Sequence, residues 1–178
     1  MTFLITFTSA QEGEGELFGT EGRYQIDGDA SSFKFKISNM GLFSVDGTMG
    51  GISGTIDFDK INQEGFVYLS LEAKTIDTGI KKRDEHLRTS DFFYVEKYPK
   101  IEFKGDKLTR IKDNLYVVAG TLSMRGVSLK EKVPIRFEAS GKTLEFIGTA
   151  EIDRTKYGVD GGSTVGDVAE VTYKIIAK

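Results

Sequence analysis

Residues 32–38 read Ser32-Phe33-Lys34-Phe35-Lys36-Ile37-Ser38, with three large apolar side chains at alternate positions and lysine or serine between them. Successive side chains of a strand point to opposite faces, so this spacing describes a strand with one apolar and one polar face. The rhythm recurs. Ile101 and Phe103 alternate with Lys100, Glu102 and Lys104, and Val133, Ile135 and Phe137 alternate with Lys132, Pro134, Arg136 and Glu138. Leu144, Phe146, Gly148, Ala150 and Ile152 alternate with Glu145, Ile147, Thr149, Glu151 and Asp153. Residues 52–58, 66–73, 115–122 and 168–177 carry the same pattern, so the chain is expected to form about eight or nine strands. Phe66-Val67-Tyr68-Leu69 is apolar on both faces, and alternation assigns neither of them to the interior.

Turn chemistry falls between the strands at Ser140-Gly141, Asp113-Asn114 and Asn62-Gln63-Glu64-Gly65. Links this short pair sequential neighbours antiparallel. A meander of this length must close on itself or split into two sheets, because open edges invite aggregation. Closure is the expected outcome. One insertion, residues 77–98, interrupts the β pattern. It reads as one or two short helices, with Asp77 or Thr78 as cap and Ile80 and Leu87 on one face. A second turn starts at Ser90 or Asp91, carries Phe92 and Phe93, and stops before Pro99. Connections this long inside compact domains tend to be functional, and a lid over one end of a barrel is the natural role.

The 178 residues suit one domain large enough to bury a core. A formal charge of -3 does not suit a nucleic-acid partner, and no apolar run approaches the ~18–20 residues of a membrane-spanning helix. Without cysteine, and with His86 as the single histidine, thiolate chemistry is excluded and neither a metal site nor a cofactor is expected. Phe3-Leu4-Ile5-Thr6-Phe7, followed by Thr8-Ser9-Ala10, resembles the end of a secretory signal cleaved after Ala10, although the basic flank is missing. The alternative is a frayed tail. Residues 1–22 are therefore assigned to a signal remnant and flexible lead-in, and residues 23–178 to the barrel domain.

Several motifs in order carry a family resemblance. They are Thr75-Ile76-Asp77-Thr78-Gly79, Arg83-Asp84-Glu85-His86-Leu87-Arg88, Asp91-Phe92-Phe93 and Lys97-Tyr98-Pro99-Lys100-Ile101. Tyr24-Gln25-Ile26-Asp27 and Phe35-Lys36-Ile37-Ser38-Asn39-Met40-Gly41 lie on one side, with Val45-Asp46-Gly47-Thr48-Met49-Gly50-Gly51 as a following loop. Gly120-Thr121-Leu122-Ser123-Met124-Arg125-Gly126-Val127, Asp153-Arg154-Thr155-Lys156-Tyr157-Gly158-Val159 and Val165-Gly166-Asp167-Val168 lie on the other. Together they resemble the YceI-like family of lipocalin-like polyisoprenoid binders, over residues 23–178. The resemblance implies an all-β, eight-stranded antiparallel lipocalin-like barrel with a short helical insertion, holding an isoprenoid lipid or quinone. It also implies export to the periplasm or secretion, with the cytoplasm as the alternative, and often a homodimer. Ala30 and Asn39 stand where many members have histidines, so no role of those histidines is carried over.

The inward side chains Phe33, Phe35, Ile37, Leu69, Leu71, Phe103, Val117, Phe137 and Phe146 either line a cavity or fill a core; the resemblance favours the cavity. Arg83, His86, Arg88, Phe92 and Phe93 are expected at its mouth, where arginine suits a phosphate or quinone head group. The competing reading of Arg83 and Asp84 is that they tie the lid down. His86 with Asp84 and Ser90 could form a catalytic trio, but no Gly-x-Ser-x-Gly elbow accompanies it. Gly158–Gly162 lacks the helix and lysine of a phosphate cradle and reads as a rim turn anchored by Arg154 and Tyr157. The expected function is a non-enzymatic carrier of a long apolar molecule. The alternatives are a lipid-modifying enzyme using His86 and a packed barrel without ligand.

Overall fold

The computed structural model describes residues 22–59, 64–162 and 164–178. The lead-in expected at residues 1–22, with its cleavage after Ala10, lies outside them except for Gly22, and so does part of the Asn62–Gly65 turn. The described chain forms β1 (Gly22–Gln25), β2 (Ser32–Asn39), β3 (Phe43–Met49), β4 (Ser53–Asp59), β5 (Glu64–Glu72), α1 (Lys81–Leu87), β6 (Lys100–Lys112), β7 (Leu115–Met124), β8 (Val127–Ser140), β9 (Thr143–Asp153) and β10 (Val165–Ala177). Single 3₁₀ turns occupy Ala73–Thr75 and Arg154–Tyr157.

All strands join one antiparallel sheet in the order β1-β4-β5-β6-β7-β8-β9-β10-β2-β3. This corrects the expected count: the sheet has ten strands, not eight. The gain includes β3, read from the resemblance as a loop although Phe43, Val45 and Met49 alternate with Ser44, Asp46 and Thr48. It aligns residue by residue with β2, from Phe33 opposite Met49 to Asn39 opposite Phe43. Gly47 is required there. A Cβ on it would sit 2.3 Å from Cζ of Phe35, which lies across the β2–β3 pair.

The sheet is strongly curled. Bulges interrupt the β6–β7 register at Gly105/Lys107 and Arg110/Lys112, and the β10–β2 register at Val165/Ala169, and extra residues of this kind bend a strand. Curling brings the β1 margin back to β10. Gln25 and Lys178 exchange N–H···O bonds of 2.8 and 2.9 Å, and the Asp27 amide donates to the Ile176 carbonyl at 2.8 Å. Near the β3 margin, Thr48 and Asp77 exchange bonds of 2.8 and 3.1 Å, and the Glu72 amide donates to the Gly50 carbonyl at 3.1 Å. Backbone groups that would stand open at a sheet edge are thus paired at these points.

At the end marked by the β6–β7 and β8–β9 turns, the interior is solid. Tyr116 meets Phe137 edge to face with centroids 6.5 Å apart, and Phe137 lies 5.1 Å from Phe146. Leu144 beside them is fully buried.

The short helical insertion expected within residues 77–98 is present. Among the described residues it holds one helix, α1, and its N-cap is Ile80, not Asp77 or Thr78. Ile80 is also 53% exposed, so it does not share a buried face with Leu87. The reason is Asp84, whose carboxylate accepts from the Thr78 hydroxyl and, at 2.9 Å, from the Thr78 amide. Thr78 is thereby held beside the helix rather than at its first turn. Phe92 and Phe93 sit in irregular turns rather than in a second helix.

Candidate functional site

At the opposite end the walls stand apart around a cavity of about 440 Å³, inside the ~300–1,000 Å³ typical of small-molecule sites. Its walls are the inward faces of β2–β10, and α1 with the Phe92–Phe93 turn forms its border. Phe33, Phe35 and Ile37 line it from β2, Leu69 and Leu71 from β5, Phe103 from β6 and Phe146 from β9. Two expected lining residues do not. Tyr116, Val118 and Gly120 are buried on β7, so parity sends Val117 to the other face and Val118 lines the cavity. Phe137 is buried behind Phe146, in the solid end of the molecule. On the doubly apolar stretch of β5, Val67 and Leu69 face inward, while Phe66 is 55% exposed.

Sequence reasoning passed over other lining positions. Val171, Tyr173 and Ile175 carry the same alternation on β10, and Ile101 stands two residues before Phe103, so parity alone could have found them. Val45 and Met49 were open to the same argument, since Phe43, Val45 and Met49 alternate with Ser44, Asp46 and Thr48.

Few polar side chains reach the cavity. Asn39, Arg83, His86 and Thr164 lie around its mouth, and Arg154 and Tyr173 are largely committed to the fold. Arg154 is buried and donates to the carbonyls of Gly166 at 2.8 Å, Val159 at 2.6 Å and Val165 at 2.8 Å. This anchors the Gly158–Gly162 loop. Tyr157, fully buried, donates to Glu131 at 2.9 Å; burial first, then the Glu131 carboxylate, hold its phenol well above the usual range. Tyr173 donates to the Pro134 carbonyl, and burial raises its phenol likewise.

The mouth residues divide by role. Arg83 lines the cavity while donating to the Thr78 hydroxyl at 2.7 Å and the Thr78 carbonyl at 2.9 Å. Arg88 does not line it. Its guanidinium donates to the carbonyls of Lys74 at 2.7 Å and Ile76 at 2.8 Å, strapping the end of α1 to the preceding turn. Burial pushes the Asp84 carboxyl up, but the Thr78 hydroxyl and amide, with Arg88 and Arg83 nearby, outweigh it and hold the group below the usual carboxylate range. His86 is exposed, with Nε2 3.3 Å from Asp91 Oδ2 and its ring edge-on to Phe92 at 4.9 Å. Its polar partner is therefore Asp91, while Asp84 is committed to Thr78. The arrangement can hold an apolar body, with polar groups gathered at one end.

Comparison with known proteins agrees with this geometry. The model of the YceI-like domain matches residues 24–177. The UPF0312 protein of Azotobacter vinelandii is 28% identical over 139 residues, covering 78% of this chain and 72% of the relative. Protein YceI of Escherichia coli is 28% identical over 136 residues, covering 76% and 69%. Among solved structures, Burkholderia cenocepacia BcnA superposes with a TM-score of 0.79 at 23% identity, over 86% of this chain and 99% of that one. A polyisoprenoid binding domain from Saccharophagus degradans, implicated in plant cell wall breakdown, gives 0.71 at 18% identity, over 87% and 97%. At such identities the likeness to the solved structures establishes the fold.

Proposed function

The chain belongs to the YceI-like family, and on that premise we propose that it sequesters one long apolar molecule, a polyisoprenoid lipid or isoprenoid quinone, inside its curled sheet. One observation carries the reading: an interior of about 440 Å³ walled almost wholly by aliphatic and aromatic side chains. The binding of polyisoprenoid by the Saccharophagus degradans domain of the same fold supports it. In this reading the sheet works as a closed, lipocalin-like barrel, and Phe33, Phe35, Ile37, Leu69, Leu71, Phe103 and Phe146 contact the tail. Each buried methylene contributes ~0.8 kcal/mol. A polyprenyl chain therefore supplies ample gross energy, much of it offset by ordering a flexible tail.

Arg83 and His86, with Phe92 and Phe93, meet the head group at the mouth. The protein acts by withdrawing the tail from water, without a chemical step, and it works in the periplasm or after secretion. The test is a lipid extract of the purified protein analysed by mass spectrometry, followed by titration with a polyprenol. A co-purified polyprenyl species or saturable uptake is expected. Protein that emerges empty and ignores added polyprenol would defeat the proposal. His86→Ala should still take up polyprenol; an enzyme relying on its one histidine would instead lose turnover.

A further inference from the structure

The β2–β3 turn presents an apolar tip. Met40, Leu42 and Phe43 are 66%, 86% and 68% exposed, three of the large exposed hydrophobics of the described residues gathered within four positions. Scattered single exposures are ordinary, but a contiguous group of this kind marks an interaction site. Its position is specific. Asn39, immediately before the tip, lines the cavity, and the Met40 amide donates to the carbonyl of Thr164, another lining residue, at 2.6 Å. The tip is thus tethered to the rim of the opening.

Another part of the rim is basic. Arg83 and His86 on α1 line the same cavity, and Lys81 and Lys82 precede them on the helix, both exposed. Glu85 lies 3.9 Å from Lys81 at the surface, while the other carboxylate of the helix, Asp84, is buried and bonded to Thr78. The rim therefore combines an apolar projection with a cationic helix. That pairing matches an anionic lipid surface, where apolar side chains enter the acyl boundary and lysines meet headgroups.

We propose that the mouth docks on anionic bilayers, with Met40, Leu42 and Phe43 inserted and Lys81 and Lys82 against the headgroups, so that cargo passes between membrane and cavity without crossing water. The motive for transfer rests on the apolar-cargo reading, but docking itself is measurable without cargo.

The experiment is flotation of the full chain with vesicles of phosphatidylcholine, alone or mixed with phosphatidylglycerol. The parent should float with the mixed vesicles. The Leu42→Asp/Phe43→Asp variant should bind them about tenfold or more weaker, and Lys81→Glu/Lys82→Glu should lose the preference for phosphatidylglycerol. All arms carry the same residues 1–22, so the difference isolates the rim. Circular dichroism confirms that the variants fold, as expected for exposed positions. A parent that ignores both vesicles, or a tip variant that floats like the parent, overturns the proposal. A dimer seen by sedimentation in the parent and lost in the tip variant would assign the tip to a second copy instead, and would also overturn it. Polyprenol uptake from detergent micelles is read in parallel. If uptake fails while flotation survives, the cargo reading falls and the docking surface stands.

Discussion

Beside the turns at 113–114 and 141–142, Tyr116 and Phe137 pack ring to ring near the fully buried Leu144, and Phe137 backs onto Phe146, whereas Phe33, Phe35, Leu69, Phe103 and the near side of Phe146 face an interior that stays open. Both regions are lined by the same alternation of large apolar and polar residues. The difference lies in what stands opposite each side chain. A ring that meets rings gains contact on every side. A ring that faces a cavity is in contact only at its base and edges. Stability should accordingly concentrate in the solid end, and binding in the open one.

The sharpest attack on this division is Phe137→Ala. Truncating an aromatic side chain packed on all sides should cost about 3–5 kcal/mol, read from urea unfolding, while the folded fraction keeps its cargo affinity. A cost near zero would mean that the solid end is not what holds the molecule together. Next comes Phe35→Ala in the open region. Its ring lies against Gly47 and borders the cavity, so the stability cost should stay below about 2 kcal/mol. Affinity for a polyprenol should fall about tenfold, because loss of one aromatic contact is of that order. If the two variants lose the same stability and neither loses affinity, the contrast between the ends collapses.

The smallest effect belongs to the rim. Asp84 holds its proton less tightly in the folded state than in the unfolded chain, since its carboxyl lies below the ordinary range. Its contribution is therefore complete above about pH 4, the unfolded value, and is lost as pH falls through the lower folded one. Hydrogen exchange of residues 78–88 should accelerate only in that acid window. Asp84→Asn should exchange faster at neutral pH and lose the acid-dependent step. Acceleration already at pH 6 would point to another group.

Legibility differed between regions in the same physical way. On β2, from Phe33 to Ile37, each inward residue is apolar and each outward one polar or charged, and β8 and β9 keep the rule apart from Glu131, Pro134 and Ile147, so face assignment followed directly. On β7, Tyr116, Val117 and Val118 are apolar in succession, and only the register showed that Val118 faces in. β3 carries the same parity, with Phe43, Val45 and Met49 against Ser44, Asp46 and Thr48, but the resemblance set that stretch down as a loop. The mouth was legible as a cluster but not as roles. Arg83 and Arg88 are both arginines of one helical segment, and nothing local distinguishes the one at the cavity from the one strapping Lys74 and Ile76.

From its sequence alone this chain declares strands, their buried faces, the interrupting segment and its family, because side-chain parity and turn chemistry act over a few residues. Whether opposing apolar faces touch or stand apart depends on strand number, stagger and the bulges that bend the sheet, which together set its radius of curvature. Those quantities belong to pairings between distant strands. Hence the same aromatic alternation became a plug at Phe137 and a cavity wall at Phe35, and only the tertiary structure could separate them.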